Sequence, residues 1–137
     1  MKKTFLSVTS VILVVISLLC FVGCNNTEVD PSLWDNATYT SDVTLGEGAK
    51  TVTLEIEAGD KMITVTLKTD KETLGEAMYE HELINDPSFF DTLNGILASW
   101  DNDKAYWGFY QGETMMPYGV NDQKISGGES FRFVYTK

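Results

Sequence analysis

The spacing of apolar residues predicts a β-hairpin near the middle of the chain. Residues 51–58 alternate polar and apolar side chains, and residues 62–68 do so again after a turn at Gly59-Asp60-Lys61. A period of two is typical of strands with one buried face, and a short glycine-containing turn between two such runs favours antiparallel pairing. The predicted inward positions are Val52, Leu54, Ile56, Ile63, Val65 and Leu67.

The period then changes to that of a helix. Leu74, Ala77, Met78 and the pair Leu83-Ile84 recur at three- and four-residue steps, which predicts an amphipathic helix of about three turns. Thr73 and Glu76 have the spacing of a capping box at its start, and Asn85-Asp86-Pro87 ends it.

Strand patterns return in the last third of the chain. Residues 89–97 predict a short strand with a glycine turn, the aromatic run 105–110 a second strand, and residues 131–135 the last. Alternation along the aromatic strand places Trp107 and Phe109 towards the core, and Tyr106, Gly108 and Tyr110 on the other side. Two strands, a helix and then several strands predict an α+β fold with a mixed sheet.

The N-terminal residues have the order of a targeting segment. Two lysines precede an apolar run over 5–22, which ends in Gly23-Cys24 and polar residues. This order resembles the lipobox of bacterial lipoproteins, and the alternative is an uncleaved N-terminal helix. The resemblance implies that 1–23 is a signal peptide, that Cys24 is acylated, and that membrane lipid holds the protein on the extracytoplasmic face of the cell membrane. Two acyl chains on one residue suffice for stable attachment.

Residues 24–50 show no sustained period and predict a flexible tether. Asn, Thr, Asp, Ser and Gly recur there, and Leu33-Trp34 is the exception that could dock on the domain or near the lipid. The folded domain is therefore predicted over residues 51–137.

Charge and composition narrow the function. Ten Lys and Arg face 20 Asp and Glu, a net charge of −10, which disfavours nucleic-acid binding. One histidine and two cysteines do not supply zinc-finger spacings or a disulfide framework. His81, between Glu80 and Glu82, is interpreted as a surface histidine, and Asp101 and Asp103 as part of a solvated turn. The chain carries no nucleophile motif, so no catalysis and no cofactor are predicted.

The succession of motifs from the helix onwards resembles the transcobalamin-like C-terminal domain family, over roughly residues 50–137. The motifs are 72–77 (ETLGEA), 94–96 (NGI), 106–110 (YWGFY), 119–120 (GV), 126–129 (SGGE) and 133–135 (FVY). The resemblance implies a β-grasp-like fold and a bacterial surface or secreted protein. Animal members of this class clamp cobalamin between the small domain and a large helical domain, and the helical domain has no counterpart in these residues.

The resemblance implies cobalamin or a related corrinoid as the ligand, presented to a membrane importer. Aromatic rings with polar tips and neighbouring glycines suit a broad, apolar ring with amides at its edge. The predicted ligand-binding residues are Asn94, Gly95, Trp100, Tyr106, Tyr110, Tyr118 and Gly119. The alternative is a protein-interaction or adhesion module on the cell surface with no small-molecule ligand.

Overall fold

A six-stranded mixed sheet dominates the computed structural model, which describes residues 33–137. In chain order, its strands are β1 (Val43–Gly46), β2 (Lys50–Ala58), β3 (Lys61–Thr69), β6 (Tyr106–Gln111), β7 (Thr114–Met115) and β8 (Ser130–Thr136). Side by side in the sheet, they follow the order β1-β3-β2-β8-β6-β7. The smaller elements are α1 (Leu74–Glu80), α2 (Trp100–Asp103), a 3-10 turn (Val120–Asp122) and a separate hairpin of β4 (Thr92–Leu93) and β5 (Ile96–Leu97). The predicted α+β class and mixed sheet are confirmed, and the finer β-grasp assignment stays a prediction.

The central hairpin forms as its alternation predicts. β2 and β3 pair antiparallel, with Leu54 opposite Val65 and Ile56 opposite Ile63. All six predicted inward side chains are buried. β8 lies parallel to β2 on its other side and contributes Phe131 and Phe133, two of the largest fully buried side chains among the described residues.

The helix is shorter than predicted. α1 starts with the predicted capping box, in which Thr73 and Glu76 each accept the other's backbone N–H through a side-chain oxygen, at 3.3 Å. It ends at Glu80, before the apolar pair Leu83-Ile84. Those two residues instead serve the small hairpin, since the Asn94 N–H donates to the Leu83 carbonyl at 2.7 Å and Ile84 bridges to Leu93. Tertiary pairing therefore ends the helix about one turn early.

The sheet begins inside the segment predicted as a tether. β1 pairs parallel with β3, Val43 opposite Val65 and Leu45 opposite Leu67, so the tether prediction needs correction for residues 33–50. The alternation Val43-Thr44-Leu45 is too short to stand out in the sequence, and its partner strand lies some twenty residues away. The first part of the predicted tether, residues 24–32 with Cys24, and the predicted signal peptide lie outside the described residues.

Trp34 docks on the domain, which is one of the two alternatives predicted for Leu33-Trp34. Its Nε1–H donates to the Ala58 carbonyl at 3.0 Å, and the Lys61 ammonium lies 4.7 Å from the ring centroid. The segment 33–39, called the strap below, continues to the small hairpin, where the Thr38 N–H donates to the Asn94 carbonyl at 2.9 Å. In residues 33–137, no helix is long and apolar enough to span a bilayer.

His81 is half-buried rather than on a solvated face. Its side chain is 20% exposed, and its Nε2 lies 3.9 Å from Glu80 Oε2 with no hydrogen-bond partner among the described residues. A Cβ on Gly46 would lie 2.8 Å from the same nitrogen, so the imidazole packs against the end of β1. The prediction that His81 is a surface residue is therefore wrong, because its side chain packs against the domain.

Candidate functional site

An open depression of about 270 Å³ lies beside the outer edge of the sheet. Three segments line it: the loop Pro87–Phe90, the first residues of β6, and residues 115–120. A second depression of about 390 Å³ shares Phe89, Phe90, Tyr106 and Trp107 with the first and extends to Trp100. We call the two depressions together the aromatic groove.

Aromatic packing fixes the floor of the groove. The rings of Phe109 and Phe133 stack at 5.1 Å with an interplanar angle of 6°, and Phe90 meets Phe133 edge-on at 6.1 Å. The Trp107 Nε1–H donates to the Ile96 carbonyl at 3.3 Å, and its ring meets Tyr135 edge-on at 5.6 Å. These contacts hold the start of β6 in a single arrangement.

The rim of the groove exposes large apolar side chains. Phe89 is 80% exposed and Trp100 is 59% exposed, and Tyr106, Met115 and Tyr118 are also exposed. The rings of Trp100 and Tyr106 lie 6.4 Å apart. Exposed apolar residues that adjoin one another around a depression indicate a binding surface, whereas scattered ones are ordinary.

Short hydrogen bonds position the two loops of the rim. Asp86 Oδ1 accepts the Ser88 N–H at 2.8 Å, and Asn85 Nδ2 donates to Asp91 Oδ1 at 2.9 Å, so the loop that carries Phe89 is closed at both ends. On the other side the Met116 N–H donates to the Phe109 carbonyl at 2.8 Å.

The chain then passes to the 3-10 turn that packs on α1. A Cβ on Gly75 would lie 3.1 Å from the Asn121 backbone, so helix and turn approach closely. Val120, the first residue of this turn, is buried and lines the first depression. The Tyr118 hydroxyl donates to Gln123 Oε1 at 3.2 Å.

The lining of the first depression contains no ionisable side chain other than tyrosine. Two acidic residues, Asp91 and Asp101, line the second depression. Lys104 lies over the Trp100 ring at 5.3 Å. The groove therefore suits a ligand whose contacting surface is apolar and uncharged, or a partner whose positive charges reach its rim.

The structure brings four of the seven predicted site residues together. Tyr106, Tyr118 and Gly119 line the first depression, and Trp100 lines the second. None of the four has a role in the buried core, so all remain free to contact a ligand.

The other three predicted site residues have different contacts. Asn94 is fully buried, and its amide group accepts from the Tyr39 N–H and donates to the Tyr39 carbonyl, each at 2.9 Å. Gly95 has φ +78° and abuts the Asn36 carbonyl, where a Cβ would approach to 2.2 Å. Both residues join the small hairpin to the strap instead of lining the groove.

Tyr110 lies away from the groove lining. Its ring packs against Gly108, whose Cβ would be 2.8 Å from Tyr110 Cε2, and the Arg132 guanidinium lies 5.4 Å from the ring centroid. Its neighbours confirm the predicted alternation, in which Gly108 and Tyr110 share the side opposite to buried Phe109.

Sequence reasoning missed Phe89, Phe90, Met115 and Met116 as groove residues. The strand predicted over 89–97 is a loop followed by the hairpin β4–β5, whose Asn94 and Gly95 both have positive φ. A signal for the loop was available, since Asp86-Pro87-Ser88 favours a turn and leaves the next phenylalanine without a strand partner.

Solved structures that share this fold include two of low sequence identity. A candidate metal-binding protein from Ruminococcus gnavus ATCC 29149 matches with a TM-score of 0.59 and 21% identity, over 64% of this chain and 97% of that chain. A structure of haptocorrin in complex with Cbi matches with a TM-score of 0.50 and 13% identity, over 68% of this chain and 26% of the haptocorrin chain. No family model and no curated protein matches the sequence. The fold is therefore similar to part of a haptocorrin chain, in line with the resemblance noted in the sequence.

The described residues do not fit a metal centre. In residues 33–137, no group of three His, Cys, Asp or Glu side chains could hold a metal ion together. Asp101 and Asp103 lie exposed on the single turn of α2, whose N-terminus Ser99 caps by accepting the Asn102 N–H at 3.3 Å.

Proposed function

We propose that this protein is a lipid-anchored, extracytoplasmic binding protein without catalytic activity, and that its aromatic groove binds cobalamin or a related corrinoid. The observation that carries the proposal is the groove itself, in which exposed aromatic rings surround a depression free of charged side chains. The fold shared with haptocorrin in complex with Cbi supports the choice of ligand class.

The chemistry of the rim suits a corrin ring. Flat faces of Tyr106, Tyr118 and Trp100 can cover the apolar ring faces, and their polar tips can meet amides at the ring edge. Gly119 has open space where a Cβ would stand, so a ligand can approach the backbone there. A net charge of −10 disfavours anionic planar ligands such as haem and nucleotides.

The groove is open, so this domain covers one side of such a ligand. We expect modest affinity for the chain alone and tighter binding when a membrane importer or another surface protein closes the other side. The position of Cys24 fits this role, because acylation there would hold the groove near membrane-embedded partners.

Titration of the full-length protein in detergent with cyanocobalamin tests the ligand. We expect a dissociation constant in the micromolar range or tighter, weakened about tenfold by Tyr118→Ala. Tyr79→Ala is the matched control, since Tyr79 is also exposed (53%, against 43% for Tyr118) but lies on α1 outside the groove lining. A folded protein that gives no heat and no spectral change up to millimolar ligand would refute corrinoid binding.

Labelling of cells with radioactive palmitate tests the anchor separately. The wild-type protein should take up label and Cys24→Ala should not, because the thiol is the proposed acylation site. Equal labelling of the two proteins would contradict the anchor and leave the ligand proposal standing.

A further inference from the structure

The outer edge of β6 is left open beside the aromatic groove. β7 pairs only with Tyr110 and Gln111, and the ladder gains one more bond from the Met116 N–H to the Phe109 carbonyl. The chain then bends at Pro117 and Tyr118, so the pairing does not continue to the position opposite Trp107. The first part of β6 is therefore without a strand on this side among the described residues.

Strand geometry identifies the residue that faces this gap. Alternate residues of a strand direct their N–H and C=O to opposite neighbours. The Phe109 carbonyl faces β7, so the main chain of Trp107, two residues earlier, faces the same open side. Two residues earlier again, the Ala105 N–H is bonded to the Ser99 carbonyl at 3.2 Å. On this side of β6, within residues 33–137, the main chain of Trp107 is therefore without a pairing strand, whereas Ala105 and Phe109 before and after it are hydrogen-bonded.

We propose that this edge is the docking site for an extended, positively charged segment of a partner protein, which adds to the sheet at Trp107. One residue of the added strand exchanges two main-chain hydrogen bonds with Trp107. Its neighbouring side chains enter the groove, where Phe89 and Met115 offer exposed apolar contacts. Such a segment would occupy part of the groove proposed for a corrinoid, but the observation behind it, the open edge at Trp107, is a separate one.

The negative charge of the chain favours a positively charged partner. Asp91 and Asp101 line the second depression of the groove, and the nearby cation Lys104 lies over the Trp100 ring. Lysine or arginine side chains flanking an apolar centre would meet these carboxylates. A second copy of this chain fits poorly, because both copies carry a net charge of −10.

Hydrogen exchange with a probe peptide tests the edge directly. The probe is an acetylated, amidated seven-residue peptide of alternating lysine and valine, added to the full-length ¹⁵N-labelled protein in zwitterionic detergent. We expect saturable binding in the micromolar range and exchange of the Trp107 amide slowed about tenfold or more at saturation. The amides of β1, at the opposite edge of the sheet, should exchange at unchanged rates.

Three matched comparisons separate edge pairing from unspecific attraction. N-methylation of the peptide at alternate residues should weaken binding about tenfold, because it removes main-chain donors. Replacing lysine by glutamate should abolish binding, and Phe89→Ser, at an exposed position, should weaken it without unfolding the protein. Absence of binding up to millimolar peptide, binding without slower exchange at Trp107, or equal binding of the glutamate peptide would each overturn the proposal. Because the assay contains no corrinoid, its outcome is independent of the titration with cyanocobalamin.

Discussion

The two ends of the sheet are built by different rules. At the hairpin end, formed by β1, β3 and β2, the inward side chains of the two long strands are at most 2% exposed and the outward ones are largely polar. At the groove end, formed by β6, β7 and the loop before β4, large apolar side chains such as Phe89 stand in solvent and one edge position is unpaired. Among the described residues the outer edge of β1 is also open, but the groove end combines its unpaired position with adjoining exposed apolar side chains, which indicates that this region binds something.

The sharpest way to break the comparison is to truncate one apolar side chain to alanine at each end. Leu54→Ala should reduce the free energy of unfolding by roughly 3 kcal/mol, because Leu54 is fully buried between β3 and β8. Met115→Ala, at a 49% exposed position in β7, should change it by less than about 0.5 kcal/mol. Urea unfolding followed by circular dichroism measures both. Similar losses for the two variants would show that the groove end contributes to stability as the hairpin end does.

A second comparison uses two tryptophans. Trp34→Ala should cost about 2–3 kcal/mol, because it removes a half-buried ring, a hydrogen bond to Ala58 and the contact with Lys61. Trp100→Ala should cost less than about 0.5 kcal/mol and should instead weaken ligand binding at the groove.

Chemical denaturation and ligand titration of both variants provide the test. If Trp34→Ala were as stable as the wild type, the strap would be a loose attachment, and the tether predicted from the sequence would reach as far as β1.

The hairpin end could be predicted because its information is local. Residues 51–58 and 62–68 alternate on either side of a short turn, and Thr73 with Glu76 forms a capping box from two residues three positions apart. β1 could not be predicted in this way. Its four residues carry two apolar side chains, and they become a strand only because β3 offers a free edge for parallel pairing.

The groove was only partly predictable for the same physical reason. Strand alternation and residue type sufficed to single out Tyr106, Tyr118 and Trp100. The role of Asn94 was decided by a pair of hydrogen bonds to Tyr39, 55 residues away, which no local pattern contains. Phe89 reached the rim because a turn at Asp86 displaced it from the expected strand.

The smallest expected effect concerns the turn that leads into β8. Burial raises the pKa of Glu129, but the N–H groups of Ser126 and Gly127, at 2.7 and 2.6 Å from its carboxylate oxygens, and the nearby charge of Lys50 outweigh it, so the pKa lies below its ordinary value of 4.5. A lowered pKa in the folded state stabilises the fold fully above pH 4.5, and this contribution is lost as the pH falls through the lowered value.

Glu129→Gln should therefore lose less stability than the wild type between pH 7 and pH 3, by no more than about 1 kcal/mol because solvent screens the carboxylate. Glu113→Gln, which removes one negative charge from the turn at the groove end, is the control and should follow the wild type. Urea unfolding of the three proteins at both pH values measures the difference. Parallel losses for Glu129→Gln and the wild type would show that ionisation of Glu129 does not contribute to the stability of the fold.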